Sequence, residues 1–184
     1  MERNLAFKSV GEQPRVLVIE PNRNYAGVLA RRLAEFGYRV ATADSVATGL
    51  AEMYRIPVDL VLCQASLKGT TGIELARMIR RDPVHSRIPV LLVVGRSDSS
   101  SAVQAFQAGA DGVVRMPCHF EILGAAIARH IERAEAVKRL IEDNAALDAK
   151  VIGRILELRD TQDQLRRAES ERRRLAALVE GRAA

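Results

Sequence analysis

The residue types that bind metals or attack carbonyls are present in this chain, but not at the spacing that would let them act together. Cys63 and Cys118 stand 55 residues apart with no CxxC pair, and His119 beside Cys118 has no further ligands clustered near it. This is the cysteine usage of a reducing compartment, not of a disulfide frame or zinc site. His85, His119 and His130 are scattered, and no two share one face at metal-ligand spacing. Gly69, Gly72, Gly109 and Gly112 fall at turns and do not form a GxGxxG phosphate loop. Ser97 with Ser99-Ser100-Ser101 reads as a helix start with capping hydroxyls, not as a nucleophile. Arg77, Arg80 and Arg81 gather on one predicted helix and read as a solvated face. The expectation is no catalytic residue, no metal and no cofactor.

Composition narrows the classes further. The net charge is +5 over 184 residues, and the densest basic run, Arg172-Arg173-Arg174, sits among Glu169, Glu171 and Glu180. That argues against nucleic acid, whose binders concentrate a basic stripe. Aromatics are 4% and Trp is absent, which argues against a surface for stacking bases or sugars. No apolar run approaches the ~18–20 residues of a membrane span, and the start Met1-Glu2-Arg3-Asn4 lacks the order of a secretory signal. The expectation is a cytoplasmic protein without membrane insertion.

The elements that would position any site follow from periodicity. Residues 1–13 read as a loose leader. Val16–Ile19 is a wholly apolar run, as in a strand buried on both faces. A helix is predicted over Tyr25–Phe36, its inner face being Val28, Leu29, Leu33 and Phe36, with Gly37 at its C-terminal stop. The cycle repeats with strands at Tyr38–Ala43, Leu60–Cys63, Pro89–Val94 and Asp111–Arg115. Helices follow at Ser45–Arg55, Gly72–Arg81 and Ser97–Gln107, and a last one starts near His119. Five such units imply a flavodoxin-like α/β fold, a doubly wound parallel sheet of order 2-1-3-4-5 with helices on both faces. The domain would span 14–133.

From Glu121 to about Glu180 there is no proline and good helix formers dominate. Ile122, Ile127 and Ile131 are expected to face the sheet. A heptad frame then takes over over residues 134–184. Its a positions are Val137, Asn144, Val151, Leu158, Leu165, Arg172 and Val179, and its d positions are Leu140, Leu147, Arg154, Thr161, Ala168 and Leu175. Nine of these thirteen are apolar, which predicts a coiled coil continuous with the last helix of the domain. Asn144 at an a position favours a parallel homodimer. Ile152, Ile155 and Leu156 lie outside the frame and widen the apolar face.

Several segments together resemble the receiver domain of bacterial response regulators: Arg15-Val-Leu-Val-Ile-Glu20, Val58-Asp-Leu-Val-Leu-Cys-Gln64, Lys68-Gly-Thr-Thr-Gly72-Ile-Glu-Leu75, Ile88-Pro-Val90, and Gly109-Ala-Asp111 followed by Met116-Pro117. The resemblance implies two acidic residues after the first strand that hold Mg²⁺, an acceptor Asp ending the third, a hydroxyl ending the fourth, and a Lys before the proline that follows the fifth. The matching positions here are Glu20 and Pro21, Gln64, Val94 and Met116. A neutral amide is not the carboxylate nucleophile of an aspartyl phosphate. Glu20 with an amide is a poor cage for Mg²⁺, and Val94 and Met116 neither hydrogen-bond nor pair with a phosphoryl oxygen. Ser66, Thr70 and Thr71 follow Gln64 and read as ordinary loop hydroxyls. The family's switch couples the hydroxyl to an aromatic in the fifth strand, matched here by Val113, so two valines replace the switch. Glu20 is expected to find a donor in Gln64 or in backbone N–H groups at the start of the first helix.

The reading that follows is a degenerate pseudo-receiver, dimerised by its coiled coil, acting as a non-catalytic signalling adaptor through protein partners. The candidate docking face is Val103, Gln104, Gln107, Val113, Arg115 and His119, with Arg31 and Arg32 on the first helix as the alternative. Two other functions stay open at this point: an atypical regulator keeping some phospho-dependent switching, and a regulatory module for nucleic acid.

Overall fold

The computed structural model describes residues 13–96 and 98–180, with side chains described to residue 174. The expected leader (1–13) lies almost wholly outside the described residues, as do Ser97 and the side chains of the seam positions Leu175 and Val179. The elements alternate without exception: β1 (Arg15–Ile19), α1 (Arg23–Glu35), β2 (Arg39–Ala43), α2 (Val46–Arg55), β3 (Leu60–Gln64), α3 (Gly72–Arg81), β4 (Val90–Gly95), α4 (Ser99–Gln107), β5 (Gly112–Met116) and α5 (Phe120–Glu180). The five strands form one parallel sheet in the order β2-β1-β3-β4-β5. The most apolar strands, β1, β3 and β4, occupy its centre, because only they are covered on both faces.

Side chains alternate across the sheet and build two cores. One contains Leu17, Ile19, Val61, Cys63, Leu92 and Val94 with Leu75, Ala76 and Ile79 of α3. The other contains Val16, Val18, Leu60, Leu62 and Leu91 with Leu29 and Leu33 of α1 and Leu123, Ile127 and Ile131 of α5; Cys118 lies against this second core. Two inward faces differ from expectation at one position each. Val28 is 40% exposed and Ala26 is buried in its stead. Ile122 is 62% exposed, and Leu123 packs on the sheet with Ile127 and Ile131. In both helices the residue four before a buried one shares its face: Leu33 selects Leu29, and Ile127 selects Leu123.

Caps set the helix starts. Asn22 caps α1, accepting from the N–H groups of Asn24 (3.1 Å) and Tyr25 (3.2 Å). Ser45 with Thr48, and Thr71 with Glu74, form reciprocal capping boxes at α2 and α3. The fourth helix starts later than Ser97: Asp98, not a serine hydroxyl, accepts from the N–H of Ser101 at 2.9 Å. A carboxylate there also suits the positive end of the helix dipole. Gly37 takes φ +87° just past α1, the left-handed stop its position implied.

Arg80 is no solvated side chain. Its Nε donates to the Gly109 carbonyl (2.7 Å), Nη1 donates to the carbonyls of Ser86 (2.8 Å) and Ile88 (3.0 Å), and Nη2 pairs with Asp111. Asp111 in turn accepts from the N–H of Val90 at 2.7 Å. Gly109 stands at φ +93°, and a Cβ there would come within 2.7 Å of Arg80 Cγ. The Gly-Ala-Asp turn and Arg80 therefore form one clasp joining α3, the approach to β4 and the approach to β5. Arg77 and Arg81 are exposed, as a solvated face requires.

The chain divides into two compact units, one up to Glu135 and one from Ala136. In the second, the seam positions Val137, Leu140, Leu147, Val151, Leu158 and Leu165 are exposed, as are Ile152, Ile155 and Leu156. Asn144 and Ala168 are exposed as well. Arg154 pairs within the helix with Glu157 at 2.8 Å, and Thr161 donates its hydroxyl to the Glu157 carbonyl at 2.8 Å. These two of the seam's polar residues thus satisfy themselves locally. Among the described residues no helix is long and apolar enough to cross a membrane.

Candidate functional site

The carboxyl ends of β1, β3, β4 and β5 open into a pocket of about 260 Å³. Its lining includes Glu20, Gln64, Val94 and Met116, so four of the five positions singled out in the sequence meet there. Pro21 is exposed and is not part of the lining. Gly72, the first residue of α3, holds that helix against the end of β3: a Cβ would stand 2.3 Å from the Gln64 carbonyl oxygen. The Met116–Pro117 peptide is cis.

Glu20 is only 8% exposed. Its carboxylate accepts from the N–H of Asn22 at 2.9 Å, so the donor is backbone at the start of α1 and not Gln64. Gln64 faces the same pocket with no hydrogen bond to Glu20. Val94 is buried, and Val113, half-buried on β5, packs against the same core cluster. Met116 takes a contact from the Cys118 thiol at 3.4 Å. Asn22, Tyr25, Ser66, Val93 and Gly95 complete the lining. Asn22 and Tyr25 carried no signal of this role while the first helix was expected to start at Tyr25. Its N-cap at Asn22 swings the first turn of α1 over the pocket. Thr71 is spent on capping α3, and Thr70 is exposed.

The electrostatics are those of a single buried anion. Burial pushes the Tyr25 hydroxyl up, with smaller contributions from Cys118 and Glu20. Burial pushes the Cys63 thiol up to about 12, and Glu20 adds to it. Among the described residues no group of three His, Cys, Asp or Glu is placed to hold a metal ion. The donor set at the pocket, a single carboxylate with the Gln64 amide, the Ser66 hydroxyl and an Asn22 oxygen already held by the helix cap, does not fit the Mg²⁺ that the resemblance implies. No nucleophilic carboxylate stands at the end of β3.

The docking-face residues Val103, Gln104, Gln107, Arg115 and His119 are all exposed, and Arg115 donates to the Arg96 carbonyl at 3.4 Å. Phe106, not singled out in the sequence, is exposed beside Val103 on α4. On α1, Arg32 is engaged: it pairs with Glu35 at 3.0 Å and lies 5.8 Å from the Phe120 ring centroid.

Comparison with known proteins agrees with this geometry. The transcriptional regulatory protein AfsQ1 of Streptomyces coelicolor is 33% identical over 141 residues, which is 77% of this chain and 60% of that protein. The chain thus spans less than two thirds of that relative's length. A response regulator receiver domain protein from Clostridium thermocellum superposes with a TM-score of 0.63 at 24% identity, covering 67% of this chain and 98% of that one. NtrX from Brucella abortus gives 0.65 at 24%, covering 71% of this chain and 30% of its own. The model of the response regulator receiver domain matches residues 16–128. With that match across most of the chain and its five-stranded sheet of order 2-1-3-4-5, this protein belongs to the response regulator receiver domain family.

Proposed function

We propose that this chain is a phosphorylation-independent receiver that works as a signalling adaptor, with a receiver domain at 14–133 and a coiled coil at 134–184 that pairs two copies in parallel. The observation that carries the reading is Gln64. It ends β3 and lines the pocket at the acceptor position, where a carboxamide cannot attack a phosphoryl group. The apolar surroundings of Val94, Val113 and Met116 support one packed state over two. On this reading the protein is not an enzyme, and its output passes through protein partners.

The test is direct. Incubation with acetyl phosphate and Mg²⁺ is expected to add no phosphate by intact-mass measurement, and Gln64→Asp alone is expected not to restore it, since Pro21 and Met116 still withhold a ligand and a cation. A stoichiometric phosphorylated species lost on Gln64→Ala overturns the reading in favour of a retained phospho-switch.

The docking face we infer lies on α4 and β5. Val103 and Phe106, 57% and 56% exposed, stand three residues apart beside Gln104 and Gln107, whereas Arg32 on the rival face is already paired. In a partner-capture assay on intact dimers, Gln104→Glu with Gln107→Glu is expected to weaken capture about tenfold, roughly 1.4 kcal/mol. Arg31→Glu with Arg32→Glu is expected to leave it within about twofold. If neither pair matters, and removing residues 137–184 abolishes capture even with an unrelated zipper in their place, the coiled coil itself is the binding element.

A further inference from the structure

We propose that the pocket at the carboxyl end of the sheet receives a monovalent organic cation, an alkylguanidinium or alkylammonium group, paired to Glu20 with its stem against Val93, Val94 and Met116. The argument begins with an uncompensated charge. Glu20 is 8% exposed, and among the described residues it takes part in no ion pair. Its one side-chain hydrogen bond among the described residues is accepted from the backbone N–H of Asn22. No Lys, Arg or His lines this pocket, whose lining carries a formal charge of −1 from Glu20; in the adjoining cleft that Glu20 also lines, the one cation, Arg23, stands 4.0 Å from Asp44. A nearly buried, unpaired carboxylate beside open volume is a binding site for positive charge.

The chemistry of the walls selects the kind of cation. A small divalent ion sheds its water reluctantly and needs several oxygen ligands in fixed geometry, and one carboxylate does not repay that. An anion is repelled by Glu20. A neutral apolar molecule leaves the carboxylate desolvated and unpaired. A guanidinium or ammonium on an alkyl stem meets every wall. Guanidinium in particular is weakly hydrated and presents planar donors to a carboxylate. The side-chain oxygens of Gln64 and Ser66 are further acceptors, the Asn22 oxygen being held by the cap of α1, and the aliphatic and thioether side chains of Val93, Val94 and Met116 suit the methylene stem. Burial pushes the Tyr25 hydroxyl and the Cys63 thiol up, with Cys118 and then Glu20 adding at Tyr25 and Glu20 adding at Cys63. This inference does not depend on dimerisation or on the absence of phosphorylation, which separate experiments test.

The test uses the full chain and two probes: butylguanidinium, and an end-blocked peptide with one arginine among alanines and serines. Binding is followed by NMR at the Gln64 side-chain amide and the Gly95 backbone amide. A saturable shift with a Kd on the order of 1 mM is expected for at least one probe. Tighter binding of the peptide assigns the cation to a partner's side chain, and tighter binding of butylguanidinium assigns it to a free small molecule. Glu20→Gln keeps an oxygen to accept the Asn22 N–H and is expected to weaken binding at least tenfold. Met116→Lys supplies a tethered ammonium in the same pocket and is expected to weaken it similarly by occupying Glu20. Failure of both probes to saturate, unchanged affinity in both variants, or equal affinity for Mg²⁺ at the same residues overturns the proposal.

Discussion

Leu147→Asp combined with Leu158→Asp is expected to turn a dimer into a monomer while the receiver unit stays folded. Both leucines lie on predicted seam positions and are 56% and 62% exposed, so nothing among the described residues covers them. Covering a leucine contributes ~1.5–3 kcal/mol. Two leucines from each of two chains then contribute ~6–12 kcal/mol to a dimer, enough to move a nanomolar Kd to tens of micromolar at the lower figure and beyond millimolar at the upper. The first unit keeps its own two cores, none of whose buried members comes from beyond Ile131. Light scattering at tens of micromolar is expected to give twice the 20.2 kDa chain mass for the natural sequence and once for the variant. A natural chain that runs as a monomer under those conditions removes the coiled coil from the proposal.

Arg80→Ala is expected to destabilise the receiver by about 3 kcal/mol, with Arg77→Ala and Arg81→Ala within ~0.5 kcal/mol of the natural chain. The asymmetry rests on geometry. Arg80 satisfies three carbonyls and one carboxylate from segments separated by up to 31 residues, with its side chain 24% exposed, whereas its two neighbours are solvated. Removal strands the carbonyls of Gly109, Ser86 and Ile88 in a half-buried turn, and a leftover acceptor costs more than the bond contributed. Arg80→Lys is expected to recover less than half, because one ammonium does not reach acceptors spread around a planar fork. Urea midpoints at fixed protein concentration check the series.

The sheet was legible because its information is local. Apolar runs of four or five residues flanked by helical periodicity leave few alternatives, and the relative apolarity of β1, β3 and β4 places them at the centre. Helix faces were less legible where apolar residues adjoin, as at Val28-Leu29 and Ile122-Leu123, since about 100° of rotation separates neighbours and only packing decides between them. The two polar devices that mattered most were least visible. Arg80 reads as surface because three of its four acceptors are backbone carbonyls, which carry no residue-type signal, and the fourth is a carboxylate 31 residues on. Asn22 and Tyr25 enter the pocket only because a cap fixes where α1 begins. By contrast Glu20, Gln64, Val94 and Met116 were located by position within a strand-end pattern, which parallel topology converts directly into proximity.

The sheet also acts as a partition for sulfur chemistry. Cys63 belongs to the core on one face and Cys118 lies against the core on the other, so the backbone of the strands stands between the two thiols. An internal disulfide would have to cross that layer. Burial keeps the Cys63 thiol protonated, at about 12, and so poor as a nucleophile. The fold therefore carries no redox couple of its own, and an oxidant that forms a disulfide between folded copies must join Cys118 to Cys118, linking chains rather than locking one.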